Sequence, residues 1–125
     1  MILIIEDDPV VAGVMSAVLK RGNYAHAVAE TAIDGYERAK RTTPDLVICD
    51  LGLPDIGGLD LLRLLRALPN MLDVPMIVCT ADTSRETVLK ALAQGATDYL
   101  AKPIDPAVLE ARVLKALRGQ RTVPA

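Results

Sequence analysis

Five short apolar runs alternate with five longer amphipathic stretches along the chain, and this alternation constrains the fold more than any other feature. The short runs are Ile2–Ile5, Tyr24–Val28, Leu46–Cys49, Met76–Cys79 and Tyr99–Ala101. Continuous apolar, β-branched runs suit strands covered on both faces, because a strand with one wet face alternates polar and apolar residues. The stretches between them carry helix-end signals. Asp8-Pro9 opens the first and Gly22-Asn23 closes it. Thr31 precedes the second, Ala32–Arg41, and Pro44 ends it. The third, Gly58–Leu68, has Leu59, Leu62, Leu65 and Leu68 on one face before Pro69. Thr83 and Glu86 form a capping-box pair for the fourth, with Gly95 where a left-handed residue should follow it. Asp105-Pro106 starts the fifth, with Val108, Leu109, Val113, Leu114 and Leu117 as its apolar set.

Strict β–α alternation requires parallel strands with helices as the crossovers. Five units are too few for an eight-fold barrel. The expected fold is therefore α/β, a five-stranded parallel sheet of order 2-1-3-4-5 in a flavodoxin-like (βα)5 three-layer sandwich. The domain is read as residues 1–118, with the Gly-, Thr- and Pro-containing segment 119–125 as a tail or the start of a linker. A chain of 125 residues can bury a core without staples. That core is aliphatic, since 51% of residues are hydrophobic but only 2% aromatic, with no Phe or Trp.

Composition also removes several partners. A net charge of −2 gives no positive field for nucleic acid or anionic membrane, and without Phe or Trp a base-stacking platform is missing. Cys49 and Cys79 are too few for a zinc site or a disulfide framework. No apolar run approaches the ~20 residues of a membrane span. Met1–Ile5 meets acid at Glu6 and has no basic flank, so it is not read as a secretion signal. A soluble cytoplasmic domain with no direct nucleic-acid or membrane binding is expected.

In such a sheet, ligands bind beyond the carboxyl ends of the strands. Four strands deliver polar groups there: Glu6, Asp7 and Asp8 after the first, Asp50 after the third, Thr80 after the fourth and Lys102 after the fifth. One such residue means little, because a strand must end in something polar; four together are a signal. Crowding Glu6, Asp7 and Asp50 costs about 1 kcal/mol per pair in water at ~4 Å, and about 4 at an effective dielectric near 20. A cation would offset this, and few hard oxygen ligands favour Mg²⁺, with Mn²⁺ as a substitute. Lys102 and Thr80 supply a charge and a hydroxyl for phosphoryl oxygens, so the set suits phosphoryl transfer to an aspartate.

The run Ile4-Ile5-Glu6-Asp7-Asp8, the stretch Asp45–Pro54 around Asp50, then Thr80-Ala81 and Lys102-Pro103, resemble the receiver domain of two-component response regulators, the CheY-like family. The resemblance covers residues 1 to about 118. It implies that Asp50 is the phosphoacceptor, taking a phosphoryl group from a phosphohistidine on a sensor histidine kinase or a phosphotransfer protein. It implies that Asp7 and Asp50 bind Mg²⁺ directly, that the Gly52 backbone carbonyl is a further ligand, and that Glu6 holds the ion through water. Lys102 matches the phosphate partner, with a cis bond to Pro103. Thr80 matches the hydroxyl that closes onto the phosphoryl group, small Ala81 leaves access, and Tyr99 matches the aromatic that swings inward as Thr80 moves. The face of helix 4, strand 5 and helix 5 would then change, to be read by an output domain, a partner protein or a second copy in a homodimer. A coupling of about 1–3 kcal/mol suffices for such a switch. No enzymatic turnover beyond the domain's own phosphorylation and dephosphorylation is expected.

Some positions depart from the family pattern. Gly57 replaces the usual acidic or Asn residue, which should weaken the cap of helix 3, and Ile104 stands where Phe is usual. Gly52 and Asp82 occupy positions that tune phosphoryl hydrolysis, and the expectation is an open water path at Gly52 with Asp82 orienting the water. Plainer roles are expected elsewhere: Asp8 as an N-cap, His26 as a half-buried histidine, Cys49 and Cys79 as packing. Asp98 and Arg112 resemble dimer-face charges of OmpR-type regulators, or are simply solvated. A haloacid-dehalogenase-type phosphatase would need a second Asp where Gly52 stands, and a degenerate docking module would not keep the whole acidic set. A nucleotide-binding fold would need a glycine-rich loop after the first strand.

Overall fold

A computed structural model of the chain describes residues 1–119. Its elements are β1 (Ile2–Ile5), α1 (Pro9–Arg21), β2 (His26–Ala29), α2 (Ala32–Arg41), β3 (Leu46–Asp50), α3 (Gly58–Arg66), a 3-10 turn (Pro69–Met71), β4 (Met76–Thr80), α4 (Arg85–Ala93), β5 (Asp98–Ala101) and α5 (Pro106–Leu117). All strand pairings are parallel, in the order β2-β1-β3-β4-β5. From residue 120 onward, the expected tail lies outside the described residues.

The continuous apolar strands are explained by two cores, one on each face of the sheet. Leu3, Ile5, Val47, Cys49, Met76 and Val78 face α2, α3 and α4. Their neighbours Ile2, Ile4, Leu46, Ile48, Ile77 and Cys79 face α1 and α5. Successive strand residues point to opposite faces, so a strand covered twice has no polar position to offer. Close approach of α2 to the sheet depends on Gly35, where a Cβ would sit 2.5 Å from the Ile5 side chain.

Several boundaries differ from expectation. β2 is His26–Ala29 rather than Tyr24–Val28: Asn23 takes a left-handed backbone with φ 62°, and the Tyr24 N–H bonds back to the Leu19 carbonyl of α1 at 2.9 Å. β3 and β4 each run one residue further, to Asp50 and Thr80, and β5 starts one earlier at Asp98. α3 stops at Arg66 rather than Leu68: Leu68 is extended (φ −70°, ψ 132°), as a residue before proline prefers. Leu61 joins its buried face, whereas Leu59 is only partly buried.

Ser84 rather than Thr83 caps α4, its hydroxyl accepting from the Thr87 N–H. The Asp82 carboxylate binds the Ser84 N–H and fixes that residue as the cap. Gly95 does take a left-handed conformation, φ 114°. On α5 only Leu109 and Val113 are buried, and Val108 and Leu114 are 40% and 41% exposed. Asp8 caps α1 by accepting from the Val10 N–H at 2.9 Å, and Gly57 gives α3 no side-chain cap. No helix among the described residues is long and apolar enough to cross a membrane.

Candidate functional site

The parallel register brings the ends of β1, β3, β4 and β5 to one edge. Ile5 pairs with Cys49, Asp50 with Cys79, and Thr80 with Ala101, so each strand hands its next side chain into the same cleft. Glu6 is 1% exposed, Asp50 6% and Thr80 7%, an unusual set to bury next to an aliphatic core. Asp7 is exposed at the rim. One carboxylate oxygen from each of Glu6, Asp7 and Asp50 lies within 4.8 Å of the others.

Lys102 is the cation of the cleft. Its Nζ stands 2.9 Å from Glu6 Oε1 and 3.2 Å from Asp50 Oδ1. Two backbone contacts aim these groups: the Lys102 N–H donates to the Thr80 carbonyl at 2.9 Å, and the Gly52 N–H donates to Asp50 Oδ1 at 3.0 Å. The Lys102-Pro103 peptide is cis. Burial pulls the Lys102 pKa down, but its bonds to Glu6 and Asp50 outweigh this and leave it raised. Burial likewise raises the Glu6 carboxyl, against the opposing pull of Lys102 and the Asp8 N–H.

The residues present suit a hard divalent cation. Three carboxylates face one ammonium, leaving an excess of two negative charges if all are ionised. Glu6 Oε1 is buried against the Lys102 ammonium at 2.9 Å, a cation it shares with Asp50 Oδ1 at 3.2 Å. One ammonium shared between two buried carboxylates, with a third at the rim, leaves their charge under-compensated, and a bound cation would offset it.

The other expected site residues fall around this centre. Thr80 Oγ1 accepts from the Asp82 N–H at 3.0 Å and donates to the Asp82 carbonyl at 3.3 Å, so the hydroxyl is turned toward the β4–α4 loop. Ala81 and Asp82 are exposed. Both Asp82 oxygens serve α4, Oδ1 accepting from Ser84 N–H at 3.0 Å and Oδ2 from the Thr87 hydroxyl at 2.7 Å. These bonds, the Thr87 hydroxyl foremost, lower its pKa. Tyr99 is half-buried against the α2–α4 core, and its carbonyl accepts from Arg112 Nη1 at 3.0 Å. Arg112 also pairs with Asp98 at 2.7 Å within the chain.

Cys49 and Cys79 lie in opposite cores and cannot meet. Burial pushes both thiols up, Cys79 to about 12, so neither is a reactive thiolate. His26 is half-buried, its Nδ1 3.0 Å from the Tyr24 carbonyl.

Sequence reading missed two anchors. Asp55 accepts from the N–H groups of Ala32 and Ile33, both at 3.0 Å. Arg66 binds the carbonyls of Met71, Val74 and Gly95 at 2.6, 2.8 and 2.7 Å. The partners of Asp55 are 22 and 23 residues away, and nothing local in Pro54-Asp55 signals more than a turn.

Residues 2–114 match the model of the response regulator receiver domain family. The DNA-binding response regulator MtrA of Mycolicibacterium smegmatis is 37% identical over 124 residues, which is 99% of this chain and 53% of that protein. The transcriptional regulatory protein ZraR of Escherichia coli is 33% identical over 99% of this chain and 28% of its own length. The chain thus spans about half the length of the MtrA relative, or less for ZraR. Among solved structures, the receiver domain of the sensor histidine kinase PA1611 from Pseudomonas aeruginosa PAO1 superposes with a TM-score of 0.85 at 34% identity, covering 95% of this chain and 97% of that one. That structure has a magnesium ion coordinated in its active-site cleft. A CheY-like receiver protein from Methanospirillum hungatei JF-1 gives 0.86 at 28% identity, covering 94% and 92%. The strand order, the acidic cleft and these matches agree: this chain belongs to the response regulator receiver domain family.

Proposed function

We propose that Asp50 accepts a phosphoryl group from a phosphohistidine on a sensor histidine kinase or a phosphotransfer protein, in the cytoplasm. The observation that carries this is the convergence of Glu6, Asp7 and Asp50 within 4.8 Å, with the Lys102 ammonium 3.2 Å from Asp50 Oδ1. An Asp50 oxygen forms the new O–P bond as the N–P bond breaks, and the electron pair of that bond returns to the donor imidazole. Lys102 supports the charge on the phosphoryl oxygens, and the Gly52 N–H holds Asp50 in place. Asp7, Asp50, the Gly52 carbonyl and, through water, Glu6 are the residues that would hold Mg²⁺. When bound, the ion supplies neutralisation of charge on the transferring oxygens.

Phosphorylation adds negative charge and acceptor oxygens beside Thr80. To donate to them, the Thr80 hydroxyl leaves the Asp82 backbone, and the β4–α4 loop must follow. Tyr99 fills the space this opens. The face of α4, β5 and α5 is the surface that changes, to be read by an output domain, another protein or a second copy of the chain. Gly52 and Asp82 are proposed to set the phosphoryl lifetime, with Gly52 leaving the water path open. The relatives named as DNA-binding and transcriptional regulators suggest an output domain of that kind.

Incubation with a small phosphodonor and Mg²⁺, followed by intact mass, tests the proposal. Wild type gains one labile phosphoryl group, and Asp50→Asn does not. An unmodified wild type, or an undiminished adduct on Asp50→Asn, overturns it. Turnover of a phosphomonoester would favour a phosphatase instead.

A further inference from the structure

The loop from Leu51 to Gly57 carries Gly52, whose N–H is bonded to Asp50 Oδ1 at 3.0 Å, and further contacts hold the rest of it. At its start the Leu51 N–H donates to the Cys79 carbonyl at 3.1 Å. At its end Gly58 packs so closely that a Cβ would lie 2.3 Å from Leu51 Cα. Between them, Asp55 reaches across to another element: Oδ1 accepts from the Ala32 N–H and Oδ2 from the Ile33 N–H, both at 3.0 Å. These are among the first N–H groups of α2, which a helix cannot satisfy internally. Thr31 covers a different one, its hydroxyl accepting from the Asp34 N–H. The start of α2 is thus capped twice, once locally and once by the loop of the candidate site.

The positive end of a helix and two parallel N–H donors suit a carboxylate and fix its orientation. Slight burial would raise the Asp55 pKa, but the Ala32 and Ile33 N–H groups outweigh it and leave it lowered, so the charged form is the one bound. The tether has a rigid base, because Gly35 presses α2 against Ile5 of β1, the strand that delivers Glu6 and Asp7.

We infer that Asp55 is a positioning residue for the divalent-cation site: by clamping the Leu51–Gly57 loop to α2, it holds the Gly52 carbonyl where the ion needs it. This rests on the proposed role of Gly52 as a ligand. Asp55 touches neither the ion nor the phosphoryl group.

The test compares Asp55→Ala, the milder Asp55→Asn and Thr31→Ala, which weakens the same helix end without touching the loop. Mg²⁺ affinity is read by calorimetry, and amide exchange over residues 51–57 is read in the absence of metal. Asp55→Ala should weaken Mg²⁺ binding about tenfold, at the low end of what loss of a group that orients a ligand costs, and speed exchange in the loop. Asp55→Asn keeps one acceptor and should fall between. Thr31→Ala should leave Mg²⁺ affinity and loop exchange at wild-type values. Wild-type affinity and exchange in both Asp55 variants would overturn the inference, as would an equal loss in Thr31→Ala. Failure of wild type itself to bind Mg²⁺ would instead overturn the reading of the site on which the inference rests.

Discussion

Helices α1 and α4 cover opposite faces of one sheet and are held there by different forces. α1 buries Ala12, Met15, Val18 and Leu19. α4 buries Ala91 alone and leaves Leu89 and Leu92 51% and 43% exposed. Polar contacts at its ends hold it instead. Asp82 binds Ser84 and Thr87 at the start, and beyond the end Arg66 binds the Gly95 carbonyl. Apolar burial scales with area and resists any shift, whereas a hydrogen bond can be exchanged for another at little net cost. Helix α1 is therefore scaffold. The polar contacts that hold α4 start at Thr80, inside the candidate site, and on the proposed function they are the ones phosphorylation would exchange.

The difference can be broken by mutation. Leu19→Ala empties a fully buried position on α1 and should cost about 2–5 kcal/mol in urea unfolding, whereas Leu89→Ala on α4 should stay within about 0.5. Equal costs would erase the distinction. Next in size is Arg66→Ala, which strands carbonyls of Met71, Val74 and Gly95 and should cost about 2 kcal/mol. It should also speed amide exchange at Gly95 and Ala96 more than anywhere in α1.

Gly13 sharpens the contrast in the opposite direction. It lies exposed in the middle of α1, and a Cβ there would meet nothing within 4 Å. Gly13→Ala should stabilise the chain by about 0.5–1 kcal/mol, and exchange in α4 should not change. The smallest effect is electrostatic. The Asp82 pKa is lowered in the folded chain, so its contribution is complete above the ordinary value of 3.8 and is lost as pH falls through the lower folded value. On acidification, exchange over 84–88 should rise before that of α1, and Asp82→Ala should remove this pH dependence.

Much of this was legible in the sequence, for identifiable reasons. Parallel strands must end at one edge, so reading where Ile5, Cys49, Cys79 and Ala101 stop was enough to gather Glu6, Asp7, Asp50, Thr80 and Lys102. The sheet order followed from alternation and the family resemblance. What escaped depends on contacts between distant residues. Thr83 and Ser84 are equally good caps on paper, and only Asp82 binding the Ser84 N–H chooses between them. Arg66 reads as a solvated helix-end cation, yet it reaches carbonyls up to 29 residues away. Val108 and Leu114 fit a helical stripe, but α5 turns them outward and meets the core through Leu109 and Val113, with Ala116 and Leu117 partly buried beside them.

On the proposed function, a phosphoryl group on Asp50 acts on α4 and leaves α1 unchanged. Amide exchange measured with and without beryllium fluoride and Mg²⁺, as a phosphoryl mimic, tests it directly. Exchange should change across residues 80–93, stay unchanged across α1, and show no response in Asp50→Asn. A response of equal size in α1, a response that survives in Asp50→Asn, or none at all would contradict it.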